Sequence, residues 1–203
     1  MLPIQTGKNP DLYENLHRVI QTLLPLDEPE KKILEQAFTV KEVPAKTVLN
    51  AGGTVSDELY FVNTGLLRLY YTTRDNTEIT AFLFSENMFA ATLESFLSQQ
   101  PGIQTLETFE PCTLLVLSRE NLEKLYADFP KSHIIMRKVM EQRFIHAQQV
   151  VSSHILLNPS ERYLQFAEKF PDLMQRVPQH ILASFLGITP VSLSRIRKRI
   201  VKQ

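Results

Sequence analysis

The residues best equipped for chemistry lie at the C-terminal end of the chain. Residues 173–203 hold six Lys or Arg and no Asp or Glu, whereas residues 1–172 hold 16 Lys+Arg against 22 Asp+Glu, a net of −6. An end of this kind suits a polyanion, and it equally suits a set of solvated surface helices. The stretch 178–201 narrows the choice. Ala183 is small where two helices must cross closely, Gly187 permits a left-handed turn, and Thr189-Pro190 supplies an N-cap and a first-turn proline. Leu182, Leu186, Ile188, Leu193 and Ile196 fall at the inward positions of a helix-turn-helix. The outward side of its second helix offers Thr189, Val191, Ser192, Ser194, Arg195, Lys198 and Arg199. A helix of this kind fits the major groove of B-DNA: Arg195 can grip guanine with two hydrogen bonds and Val191 can touch a thymine methyl. Ser192 or Ser194 can bond to a base or a phosphate, while Lys198 and Arg199 meet the backbone. A three-helix knob with a basic solvated face explains the charge. It does not explain why the small residue, the turn glycine, the cap and the inward apolar positions coincide.

Other chemistries find little to work with. The single cysteine, Cys112, sits in the apolar run Cys-Thr-Leu-Leu-Val-Leu and reads as a core strand residue. Iron–sulfur or zinc sites built on four cysteines are impossible with one. The stretch 39–117 contains no histidine, so a metal-dependent β-roll enzyme lacks its imidazoles. His146 and His154, eight residues apart on one helical segment, could bind haem or metal, although surface or interface histidines are much commoner. There is no Gly-x-Ser-x-Gly and no P-loop pattern. No catalytic residue, metal ligand or cofactor is therefore expected.

These groups must be carried by something, and 203 residues with 43% apolar and 9% aromatic content can bury a real core. The spacing predicts two short helices over about 11–24 and 28–38. From about 39 to 117 the texture changes to short β-branched and aromatic runs punctuated by Gly52-Gly53, Asn63-Thr64-Gly65 and Arg74-Asp75-Asn76. That is the pattern of an antiparallel sandwich or jelly roll. After Ser118 the chain reads helical: about 119–128, a long segment from about 130 to 155, then three shorter pieces. Along the long segment Met136, Met140, Phe144, Ala147 and Val151 form one stripe. It can pack on the chain's own sheet or form a two-fold seam between two copies, and its length and narrowness favour the seam. Asn158-Pro159-Ser160-Glu161 has the form of an N-cap, a first-turn proline and a capping glutamate, placing a hinge near 155–158. The expected class is α+β, in three segments: a sensor with N-terminal helices at 1–129, a dimerisation helix and hinge at 130–157, and a helix-turn-helix at 158–203. No charged and apolar leader opens the chain and no run approaches 18 apolar residues, so a cytoplasmic protein outside the membrane is expected.

The string Leu-Ala-Ser-Phe-Leu-Gly-Ile-Thr-Pro-Val-Ser-Leu-Ser-Arg over 182–195 resembles the helix-turn-helix of the Crp/Fnr family of bacterial transcription regulators, whose members end in a winged helix. The run Asp57 to Tyr70 is similar to the strand–turn–strand of the family's cyclic-nucleotide-binding β-roll, and the order of parts covers nearly the whole chain. The resemblance implies a homodimer that reads a two-fold operator in double-stranded DNA, with RNA polymerase a candidate further partner. It also implies an effector pocket, which by position takes in Phe89, Ala91, Thr92 and Glu94, with Arg68 the nearby cation in a strand facing either the interior or solvent. The chain departs from the family at both ends. Where the best-known members open the recognition helix with Ser-Arg-Glu-Thr, this chain has Thr189-Pro190-Val191-Ser192, so the preferred DNA sequence should differ. Residues 86–105, where the phosphate cassette belongs, hold no Gly-Glu pair and no Lys or Arg. A buried cyclic phosphate would lack a cation there, which argues against the standard cyclic-nucleotide site. A competing expectation is a small-molecule-sensing module whose C-terminal helices bind a protein.

Overall fold

The computed structural model describes residues 12–200, so the calls on residues 1–11 and 201–203 lie outside it. In chain order the elements are α1 (Glu14–Leu23), α2 (Glu28–Ala37), β1 (Thr39–Val43), β2 (Val48–Asn50), β3 (Glu58–Thr64), β4 (Leu67–Thr72), β5 (Glu78–Phe84), β6 (Phe89–Ala90) and α3 (Leu93–Ser98). Then follow β7 (Gln104–Thr108), β8 (Cys112–Ser118), α4 (Arg119–Asp128), α5 (Lys131–Leu156), α6 (Pro159–Lys169), α7 (Pro171–Arg176), α8 (Gln179–Phe185) and α9 (Pro190–Ile200). The described residues form two compact units, one of 12–67 with 84–139 and the other of 68–83 with 140–200. These are drawn differently from the three sequence segments: the β4–β5 hairpin falls in with the C-terminal helices, and α5 changes unit between Val139 and Met140.

The first unit is built on an antiparallel sheet of order β1-β8-β3-β6. Leu59, Tyr60 and Phe61 face Leu117, Val116 and Leu115 across the β3–β8 ladder, and Tyr60 faces Ala90 of β6. Both central strands are buried along nearly their whole length, which is why they read as continuous apolar runs rather than alternating ones. Helices supply the cover. Leu16, Ile20 and Leu23 of α1 are buried, α1 packs on β3, and α4 packs on β8 and α2. The chain enters α2 through a capping box in which Asp27 accepts from the Glu30 amide and the Asp27 amide donates to Glu30. Gly65 closes the β3–β4 turn at φ +99°; a Cβ there would lie 2.5 Å from Cys112 Sγ and 2.6 Å from the Pro111 carbonyl. Cys112 itself is buried in β8, as its apolar setting predicts.

In the second unit β4 and β5 pair as a hairpin. Asn76 takes the left-handed position in its turn, and Asp75 accepts hydrogen bonds from the Thr73 and Thr77 hydroxyls. Three helix residues, Ser184, His146 and Arg143, contact this hairpin. Ser184 Oγ of α8 donates to the Glu78 carbonyl at 3.1 Å and accepts from the Thr80 amide at 2.9 Å. The Phe82 ring meets His146 edge-on, and the Arg143 guanidinium lies 4.9 Å over the same ring. The capping box forms as the sequence implies: Asn158 Oδ1 accepts from the Ser160 and Glu161 amides while Glu161 accepts from the Asn158 amide. Beyond it there are four helices rather than three. Pro171 follows the end of α6 and opens α7, because a proline at the first helical position loses no hydrogen bond. Among the described residues no strand follows β8, so the C-terminal end is built from α6 to α9. No helix in the described residues is long and apolar enough to cross a membrane.

Candidate nucleic-acid interface

Helices α8 and α9 meet through a short turn that the sequence dictates almost atom by atom. The Ile188 amide bonds back to the Ala183 carbonyl and the Gly187 amide to Ser184, both at 3.0 Å, a Schellman closure with Gly187 left-handed at φ +67°. Thr189 then caps α9: its hydroxyl accepts from the Ser192 amide at 3.2 Å and pairs with the Ser192 hydroxyl at 3.0 Å. Ala183, Leu182, Leu186, Leu193 and Ile196 are buried, and Ile188 is half-buried. With one side of α9 fixed inward, the other must face outward. Val191 (60% exposed), Ser194, Arg195, Lys198 and Arg199 are all on that exposed side. Val191, Arg195 and Lys198 stand one above another at helical spacing, leaving an apolar tip near the helix start and cations further along. Ser192 is half-buried and its hydroxyl is engaged with Thr189, so Ser194 is the freer of the two serines.

Two residues that the motif does not reveal hold this turn against the hinge. Arg162 on α6 donates through Nε to the Leu186 carbonyl at 3.0 Å and through a terminal nitrogen to the Leu157 carbonyl at 2.6 Å. Both acceptors are helix-end carbonyls, where a cation is favoured by the helix dipole. His154 on α5 places Nε2 3.1 Å from the Phe185 carbonyl and Nδ1 2.9 Å from the Val150 carbonyl. With both ring nitrogens on carbonyls it is not poised as a metal ligand. The sequence does carry a hint of Arg162: a cation in the first turn of a helix opposes the dipole and must find a partner elsewhere. His146 is half-buried against Phe82; burial first, then the charges of Arg143 and Lys169, push its imidazole down to about 4. Among the described residues no group of three or more His, Cys, Asp or Glu is placed to hold a metal.

The expected effector residues are taken up by the fold. Thr92 is buried and its hydroxyl donates to Asn50 at 2.7 Å. Phe89 packs edge-on against Phe61, Ala91 is buried, and Glu94 points from the surface of α3. Of the two faces open to Arg68, the interior and solvent, the fold takes the interior. Arg68 is 8% exposed, lies 2.6 Å from Glu78 and sits 4.2 Å over the Tyr70 ring, because β4 turns it into the hairpin. The long-helix stripe also divides. Met136 is buried inside the first unit and has no surface left for a partner, a correction to its place in the seam. Met140 and Ala147 are half-buried, while Phe144 (66% exposed), Val151 (52%) and Ile155 (75%) present an uncovered apolar face.

Residues 40–129 match the family described as the cyclic nucleotide-binding domain. Solved structures share the wider fold. The c-di-GMP-responsive global regulator CLP of Xanthomonas campestris superimposes with a TM-score of 0.70 at 18% identity, over 87% of this chain and 92% of that one. The catabolite activator protein of Thermus thermophilus gives 0.56 at 20% identity, over 91% and 87%. A Eubacterium rectale protein described as a transcriptional regulator of the Crp/Fnr family gives 0.67 at 18%, over 87% and 85%. No curated protein sequence matches the chain. The expected α+β arrangement of sheet domain, long helix and helix-turn-helix is thus the fold of these structures.

Proposed function

We propose that this chain is a DNA-binding transcription regulator that acts as a homodimer on a two-fold operator. The observation that carries the reading is α9: capped, locked inward by Leu193 and Ile196, and exposing Val191, Ser194, Arg195, Lys198 and Arg199 together. In the dimer the uncovered side of α5 around Phe144, Val151 and Ile155 packs on its counterpart. The two α9 helices then enter successive major grooves about 34 Å apart. Functionally the chain divides at 129/130 and 157/158 into a sensor, a dimer helix with its hinge, and a reader working on DNA in the cytoplasm. Rotation about the hinge lets the reading helices match or miss the groove spacing.

The sensor does not bind cyclic AMP through the standard cassette. Residues 86–105 bring no cation, Thr92 is engaged with Asn50, and the Arg68 charge is met by Glu78. The test is selection from a randomised duplex pool with and without cyclic AMP, followed by sequencing of the retained DNA. An inverted repeat enriched equally in both conditions, with affinity falling steeply as salt rises, is expected. Enrichment only with the nucleotide would overturn the sensor reading. Enrichment in neither would overturn the regulator reading and favour a protein partner for the C-terminal helices.

A further inference from the structure

A cavity of about 580 Å³ lies within the second unit, where the C-terminal half of α5 faces α6 and the end of α8. Its volume is that of a small-molecule site. Phe166, Phe170, Phe185 and Leu156 give it an apolar lining. Its polar lining includes Arg162, Lys169, His146, His154 and three glutamines, and no Asp or Glu. The cavity meets the proposed seam only at its edge: Phe144 lines both, Val151 and Ile155 do not line the cavity, and on the helix wheel Gln149, Ser153 and Leu156 point away from the seam's centre.

The charge of the site is matched by nothing in its lining. Lys169 donates to the Gln149 side-chain oxygen at 3.2 Å and lies 5.4 Å over the Phe170 ring, so its ammonium meets a neutral amide and an aromatic face. A carboxylate is a stronger acceptor than that amide, and the Gln149 side chain can turn to donate its NH₂ to the same oxygen. The positive field is felt inside the site: Arg143 and Lys169 add to burial in holding the proton off His146.

From the cavity, its aromatic lining and its acid-free ring of basic side chains, we infer an effector site for an amphipathic monocarboxylate, its chain among Phe166, Phe170 and Leu156 and its carboxylate on Lys169. The site lies beside the hinge and beside the carbonyls of Phe185 and Leu186 that position the reading helix. The effector role rests on the proposed function, whereas carboxylate binding itself is read without DNA.

Decanoate, kept below its micelle concentration, is the probe, and titration calorimetry on the full chain without DNA is the measurement. One saturable site per chain is expected, with decylamine at least tenfold weaker. Lys169→Glu, at an exposed position, should weaken decanoate at least tenfold. Leu156→Glu, also exposed, should do the same by spoiling the apolar lining, and circular dichroism verifies that both variants fold. Equal affinity for decylamine, or indifference to Lys169→Glu, would overturn the site as an anion site. Binding only to anionic vesicles would overturn it in favour of a lipid surface. Binding only after Val151→Asp, in the seam but outside the cavity lining, has separated the copies would show that a second chain fills the groove, and would overturn it as well.

Discussion

Two groups of residues with similar chemical means end in opposite states. Among the residues expected to line an effector pocket, Thr92 is bonded to Asn50, Phe89 is packed on Phe61, and Arg68 is paired with Glu78 and stacked on Tyr70. On the outer side of α9, Val191, Ser194, Arg195, Lys198 and Arg199 are held out by a buried edge that leaves their heads in solvent. The lesson concerns where binding free energy remains to be gained. A group already satisfied inside the fold must break a contact before it can bind a ligand, whereas an exposed guanidinium exchanges only water. Substitutions on the two sides should therefore separate cleanly, one class moving stability and the other moving DNA affinity.

The largest effect should come from the uncovered face of α5. Phe144→Asp puts a carboxylate into the proposed seam, where burying it unpaired costs far more than thermal energy. Light scattering should show the mass halved, and operator affinity should fall roughly a hundredfold or more because each copy then binds with one helix. The thermal midpoint of the isolated subunit should hardly move. An unchanged mass would remove the seam and put Phe144 on the committed side of the comparison.

Next is Arg195→Ala, with an expected cost of about 1–3 kcal/mol on the operator and relaxed preference at one base pair. Competition binding against operators substituted base by base reads both. Equal losses on operator and random DNA would reduce Arg195 to a phosphate contact. Arg68→Gln is the mirror experiment. It removes a buried charge that is stacked on Tyr70 and paired with a partly exposed Glu78, so a cost of about 1–2 kcal/mol in stability is expected. For a chain of this size that lowers the thermal midpoint by roughly 2–8 °C. Operator affinity should stay unchanged; a variant of full stability that loses a response to cyclic AMP would return Arg68 to the sensing site.

What could be read from the sequence follows the range of the interactions. The Gly187 turn, the Thr189 cap and the Asn158 capping box each close within a few residues, and all three stand where their signals put them. Strands β3 and β8 announce themselves because burial on both sides requires unbroken apolar runs. The misses are contacts made at a distance. The Arg68 partner comes from across a hairpin, and alternation along β4 gives its face without its depth. Met136 keeps the period of Phe144 and Val151, yet its neighbours belong to the first unit, and a helical stripe does not say where along its length the neighbours change. Ser184 and Arg162 satisfy backbone groups far along the chain, and no local pattern encodes such a partner.

The smallest effect sharpens the comparison most, because it separates two roles within the exposed set itself. Lys198 lies two turns beyond Val191, past the first turns that reach base edges, so it should neutralise a phosphate without reading sequence. Each phosphate contact releases condensed counterions, and log K against log salt loses about 0.9 of slope for each contact removed. Lys198→Ala should therefore flatten the salt plot by about one per chain and weaken operator and random DNA alike. Arg195→Ala removes a base contact and should leave the slope nearly as it was while changing the preferred sequence. Finding the two signatures exchanged would mean that α9 enters the groove deeper than its exposed N-terminal face suggests. Its cations would then read bases, and Val191 would lie beyond them.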